Sequence, residues 1–293
     1  MSVSLHKAQA NGATNAAGPR VEKVFVTPDM AAEWLQKNVK NRRITPSHLS
    51  SLVEILQRGE WKLNGDTIRF GKDGLLKDGQ HRLSACVAAG VGFWTFVVYG
   101  LDGEAFDTID TNSRPRRVSD VLDIHGMSNT NCLSAAAKLL WVFRKTGQVF
   151  EGGSGYGVGF SPNACLEIIG RHKDLEAIVS SVHSGKRIFP SLSVLAAFSY
   201  LFSFVSKKAS GELLDVMQVG SPDAGRPFNV LREAMIDRRV AGVRMHSRAV
   251  AFMLVRAWNS EMSGMWIKRV YYKSSEEFPR IHGLDYSRLE ELI

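Results

Sequence analysis

The chain has 293 residues and carries 37 Lys+Arg against 29 Asp+Glu, a formal charge of +8, with 44% hydrophobic and 23% charged residues. That balance excludes a mostly disordered chain, a collagen-like chain and a pure coiled coil, and the length predicts two domains or one large one. Three separated cysteines, Cys86, Cys132 and Cys165, form no CxxC pair, which excludes a zinc ribbon and a thioredoxin-type site and points to a reducing, cytoplasmic setting.

Residues 1–20, rich in Ala, Asn and Gly, read as a disordered tail without the apolar run of a secretory signal. Val21–Val26 alternates as a strand. Thr27-Pro28 opens a helix, and Thr45-Pro46 opens another that runs to about Gln57, with Leu49, Leu52, Val53 and Leu56 on one face. Asp66–Phe70, the turn signal Gly71–Gly74 and Leu75–Lys77 read as a hairpin. Gln80–Ala89 looks helical and is stopped by Gly90; Phe93–Tyr99 reads as a buried strand, followed by a short helix over Gly103–Ile109.

Beyond about Val118 the periodicity is helical, over Asn129–Thr146, Pro162–Val182, Leu192–Lys207, Phe228–Val240 and Arg244–Asn259, with one further strand expected at Ile267–Tyr272. The longest apolar run, Val194–Val205, is too short for a bilayer and reads as a buried helix, so no membrane partner is expected. The expected fold class is α+β: a tail over 1–20, a small mixed-sheet domain over 21–120 and an all-helical domain over 121–293.

Chemistry concentrates in Asp78-Gly79-Gln80-His81-Arg82, between a predicted strand and a predicted helix. Gly79 permits a tight turn. The helix start behind it presents N–H groups and a positive dipole end. Arg82 suits a bidentate phosphate contact, His81 a phosphate contact or a proton shuttle, and Asp78 a divalent cation or the orientation of His81. A turn followed by a helix cap is the structural alternative.

The string Asp-Gly-Gln-His-Arg-Leu-Ser-Ala resembles the signature of the ParB/sulfiredoxin superfamily, in the form carried by many phage and mobile-element proteins. The resemblance covers about residues 21–120 and implies a nucleotide-phosphate site at Gly79, Gln80, His81 and Arg82. Asp110-Thr111-Asn112-Ser113-Arg114 is similar to that family's second phosphate motif, Glu-Asn-x-x-Arg, which would add Thr111, Asn112 and Arg114. The implied cofactors are an NTP (ATP or CTP) and Mg²⁺, with Asp78 as the metal residue and Asp78, His81 and Arg82 as the catalytic set. The sequence departs from sulfiredoxin in placing Gln80 where that enzyme has its reactive cysteine, which argues against sulfinic acid reduction. A general base is open among Glu22, Glu33 and Asp66.

The segment Arg226–Lys273 holds ten Lys/Arg against three acids, nearly the whole net charge, which suggests nucleic acid. Arg244, Arg248 and Arg256 fall on one face of a predicted helix and are the candidate DNA contacts; an amphipathic surface helix is the alternative. The glycine-rich run Glu151–Gly159 lacks the Gly-Lys-Ser/Thr of a phosphate loop and reads as a loop. The six tryptophans read as core and interface residues rather than base-stacking platforms. The leading expectation is a nucleotide-binding, ParB-like protein acting on or at DNA, as a switch or NTPase, with a homodimer contact in the helical domain. The alternatives are a kinase-like phosphotransferase acting on a small molecule or a modified base, and a DNA-binding module without nucleotide chemistry.

Overall fold

A computed structural model describes residues 18–39, 41, 43–102, 117–150, 159–184 and 188–293. The chain forms two compact units, Met1–Ser113 and Arg114–Ile293, and the architecture is α+β. Among the described residues, no helix is long and apolar enough to cross a membrane. Residues 1–17 of the expected tail, the expected helix at 103–109 and most of the glycine-rich run fall outside the described residues; Arg20, the last residue of that tail, already belongs to a strand.

The first unit holds a four-stranded sheet of β1 (Arg20–Val26), β2 (Thr67–Gly71), β3 (Leu76–Asp78) and β4 (Phe93–Leu101) in the order β1-β4-β2-β3. β4 runs antiparallel to β1, with Val26 opposite Phe93, and parallel to β2, with Ile68 opposite Val97. β2 and β3 form the expected hairpin, with a register shift between Arg69 and Phe70. Three helices, α1 (Pro28–Leu35), α2 (Pro46–Gln57) and α3 (Gln80–Ala89), supply the rest of its core. α3 packs against both α1 and α2. Period-two alternation puts Val26, Ile68, Phe70, Phe93 and Val97 on the helix side with Trp34, Leu56 and Leu83. β4 is therefore half-buried rather than wholly buried: its other face carries Trp94, 48% exposed.

Local devices set the helix starts. Thr27 Oγ1 accepts the Met30 N–H at 3.3 Å, and Pro28 and Pro46 occupy first-turn positions where no N–H is required. α3 begins after Gly79 and stops at Gly90, both with positive φ.

The second unit is helical: α4 (Val118–Ile124), α5 (Thr130–Thr146), α6 (Pro162–Arg171), α7 (Asp174–Ser184), α8 (Leu192–Ser203), α9 (Lys207–Val219), α10 (Pro227–Val240), α11 (Ser247–Met262) and α12 (Leu289–Leu292). α8 is buried at every position from Val194 to Phe202 and α11 at every position from Ala249 to Val255. Trp258 of α11 stacks on Phe202 of α8, ring centroids 4.1 Å apart.

Several expectations are corrected here. The run Pro162–Val182 is two helices, because His172 leaves the helical region (φ −123°, ψ 62°) and Asp174 and Glu176 start a new first turn. The run Leu192–Lys207 ends at Ser203, and Ser206, whose hydroxyl accepts the Ala209 N–H, starts the unforeseen α9. Ile267–Tyr272 is not a strand. α11 starts at Ser247 rather than Arg244, capped by His246, whose Nδ1 accepts the Ala249 N–H at 3.2 Å.

Candidate functional site

β3 delivers Asp78 to the sheet edge beside β2, where it lies opposite Arg69. Gly79 then turns the chain with φ +105°, and a Cβ there would overlap the Ile68 Cδ1 methyl. Glycine is thus required twice, by conformation and by space. Asp78 Oδ1 accepts the Gly79 N–H at 2.7 Å and Oδ2 accepts from Arg82 Nη2 at 2.9 Å, with Arg69 Nη1 3.6 Å from the same oxygen. Arg69 Nε donates to Thr67 Oγ1 at 2.9 Å, and Arg82 Nη1 stands 4.0 Å from Asp66 Oδ2. Two guanidinium groups therefore flank the first turn of α3, each oriented by a carboxylate. Guanidinium forks and the N–H groups of a helix start are both donors suited to phosphate oxygens.

Gln80 and His81 point the other way, into the fold, at 5% and 7% exposure. Gln80 Oε1 accepts from Asn38 Nδ2 at 3.0 Å. Asn41 Nδ2 donates to both Asn38 Oδ1 (2.5 Å) and the Leu76 carbonyl (2.9 Å), and the Leu76 N–H donates to the Lys37 carbonyl at 2.9 Å. His81 Nε2 accepts the backbone N–H of Thr45 at 3.0 Å, and its ring centroid is 5.1 Å from that of His48. These two motif residues strap the segment between α1 and α2 onto the β3–α3 junction. Through this contact the structure gives His81 a capping role at the start of α2.

Of the three acids open as a base, Glu22 pairs with Arg20 at 3.4 Å and Glu33 with Lys37 at 3.7 Å. Asp66 alone of the three stands beside Arg82, with its side chain 60% exposed. Asp78, the expected metal residue, has both oxygens engaged by N–H donors. Among the described residues no group of three or more His, Cys, Asp or Glu could hold a metal ion. Cys86 is buried, donates towards the Val26 carbonyl at 3.7 Å, and burial pushes its thiol up to about 11. That is an inert thiol rather than a nucleophile. Thr111, Asn112 and Arg114 lie outside the described residues.

Two of the three candidate DNA contacts, Arg248 and Arg256, meet at Glu276. Arg244 is exposed and precedes α11. Arg248 donates to the Glu276 carbonyl at 3.5 Å and lies over Phe278; Arg256 pairs with Glu276 Oε2 at 3.2 Å and lies over Phe252 and Tyr271. The basic face of α11 is therefore packed by the chain after residue 270 rather than open to a partner. Of the six tryptophans read as core and interface residues, Trp94 and Trp266 are 48% and 69% exposed.

Sequence reasoning missed Asn38, Asn41, Thr45 and Arg69. Arg69 was within reach, since counting back across the Gly71–Gly74 turn places it near Asp78; the asparagines act across 42 and 35 residues and carry no local signal. No protein-family model, no curated protein and no solved structure matches the chain.

Proposed function

We propose that this chain is a nucleotide-binding protein of ParB/sulfiredoxin type, working in the cytoplasm on or at DNA. One observation carries the reading: Asp-Gly-Gln-His-Arg sits on a strand, a left-handed glycine and a helix start, with Arg82 and Arg69 flanking that start. Phosphates would lie against the first turn of α3, between the two guanidinium groups. Arg82 neutralises charge on the phosphates, and Asp78 fixes the fork that does so. Mg²⁺ would arrive with the nucleotide and supply further charge neutralisation. Asp78 does not suit it as a direct ligand, since its oxygens already accept from Gly79 and Arg82. Asp66 presents the exposed carboxylate of the site and suits a water-bridged cation.

A phosphotransferase is the second reading, favoured by the position of Asp66. An exposed carboxylate beside a phosphate-binding arginine is placed to accept a proton from an acceptor hydroxyl.

The test is calorimetric titration of ATP, CTP, GTP and UTP with Mg²⁺ into wild type, Arg82→Ala and Arg69→Ala, with and without duplex DNA. One nucleotide should bind, and both variants should weaken it at least about tenfold, the scale of one charge-assisted hydrogen bond. Absence of binding by any nucleotide, or binding indifferent to Arg82, overturns the proposal.

A further inference from the structure

The basic segment Arg226–Lys273 suggests a polyanion, but four of its ten cations form ion pairs inside the second unit. Arg226 bridges Glu212 and Glu261, Arg232 pairs with Glu233, and Arg256 and Lys273 share Glu276. Two exposed arginines of the same segment lie at the corner joining α10 to α11. Between Arg238 and Arg248 the sequence holds four arginines and no carboxylate. Arg239 and Arg244 are exposed, and neither joins an ion pair among the described residues.

The corner is also built. Arg238 Nη1 donates to the Ala234 carbonyl at 3.0 Å, which holds the last turn of α10. His246 caps α11, and its ring meets Tyr272 edge-on at 5.2 Å, which fixes the return of the loop. Arg244 thus stands three residues before the positive dipole end of the sixteen-residue α11. Val240 and Val243 stand exposed between Arg239 and Arg244, at 83% and 55%.

Resting on the DNA half of the function proposed above, we propose that the α10–α11 corner, through Arg239 and Arg244 with Arg238 beside them, grips the phosphate backbone of duplex DNA. The cations are all arginines, whose planar forks match phosphate oxygens bidentately. An anionic membrane is the competing polyanion, but the large apolar side chains that the corner exposes are two valines, Val240 and Val243. Interfacial anchoring needs a larger apolar face.

The experiment is fluorescence anisotropy of a labelled duplex titrated with the full chain at several salt concentrations. Wild type, Arg239→Ala/Arg244→Ala, Arg239→Lys/Arg244→Lys and Arg239→Glu/Arg244→Glu are compared. Loss of two phosphate contacts should reduce the slope of log K against log salt by about 1.8, at about 0.9 per phosphate. Affinity should fall at least tenfold in the alanine variant and further in the glutamate variant, with the lysine variant retaining most of the slope. Both side chains are exposed, so the alanine variant should melt with wild type. Unchanged slope and affinity in the alanine and glutamate variants overturn the corner while leaving DNA binding standing. Failure of wild type to bind duplex overturns both, and leaves the nucleotide titration as the separate measure of the β3–α3 site. Binding to phosphatidylserine vesicles in preference to duplex, lost in the same variants, overturns the DNA assignment of the corner.

Discussion

The backbone N–H of Thr45, the residue that opens α2, donates to Nε2 of His81 in the first turn of α3 across 3.0 Å. An imidazole nitrogen that accepts is unprotonated, so in this contact His81 acts as a neutral cap. One side chain thereby satisfies an N–H at the start of one helix from within another, and ties the motif to a segment 36 residues away.

His81→Ala should therefore destabilise the first unit by about 2–3 kcal/mol, the sum of an orphaned N–H and the space left by a buried ring. Urea denaturation measures the loss, and faster amide exchange at Thr45 locates it. Loss of nucleotide affinity at unchanged stability would assign His81 to the ligand instead.

Gly79→Ala should cost about 2–4 kcal/mol, from a left-handed conformation and a collision with the Ile68 methyl. The collision is with Cδ1, which valine lacks. Gly79→Ala/Ile68→Val should recover part of the lost melting temperature relative to Gly79→Ala. No recovery would place the whole cost in the backbone.

Asp66→Asn removes a carboxylate that is 60% exposed, so stability should move by no more than about 0.5 kcal/mol. Nucleotide binding should persist, while any phosphoryl transfer or hydrolysis should fall at least about 100-fold. Turnover equal to wild type would remove Asp66 from the chemistry.

Burial holds His172 below the ordinary histidine value of 6.5; the Ile293 carbonyl opposes that shift, and the charges of Arg171 and Arg144 reinforce it. Its Nδ1 lies 2.7 Å from the Tyr200 hydroxyl, and burial pushes that hydroxyl up to about 12. The unfolded chain takes up the histidine proton at a higher pH than the folded one. This contribution is complete above about pH 6.5 and is lost as the pH falls below it. Melting temperature against pH should show that slope, His172→Gln should flatten it, and Tyr200→Phe should cost about 1 kcal/mol at neutral pH.

Burial also pushes the thiols of Cys86 and Cys132 up to about 11 and that of Cys165 up to about 12. The native chain should resist iodoacetamide at pH 8, and all three thiols should react once urea unfolds it. Rapid native alkylation of Cys86 would reopen cysteine chemistry at α3.

What the sequence by itself determined was local. Thr27-Pro28, Pro46, Gly79 and Gly90 mark helix ends because caps and backbone freedom act within a few residues. β1, β2 and α3 follow because side-chain alternation repeats every two residues in a strand and every 3.6 in a helix. The strand–glycine–helix setting of Asp78–Arg82 was legible for the same reason. What only the tertiary structure decided was which side each motif residue faces and what covers it. Gln80 and His81 turn inward because Asn38 and Thr45, far away in sequence, meet them there. Arg82, whose side chain keeps only 15% of its surface exposed, is held by Asp78 and Asp66, and Asp66 was separated from Glu22 and Glu33 by position alone. Arg248 and Arg256 read as an open basic face, since periodicity reports which side of a helix is polar but not which segment packs over it. The chain after residue 270 supplied that cover, and left the unpaired charge at Arg239 and Arg244.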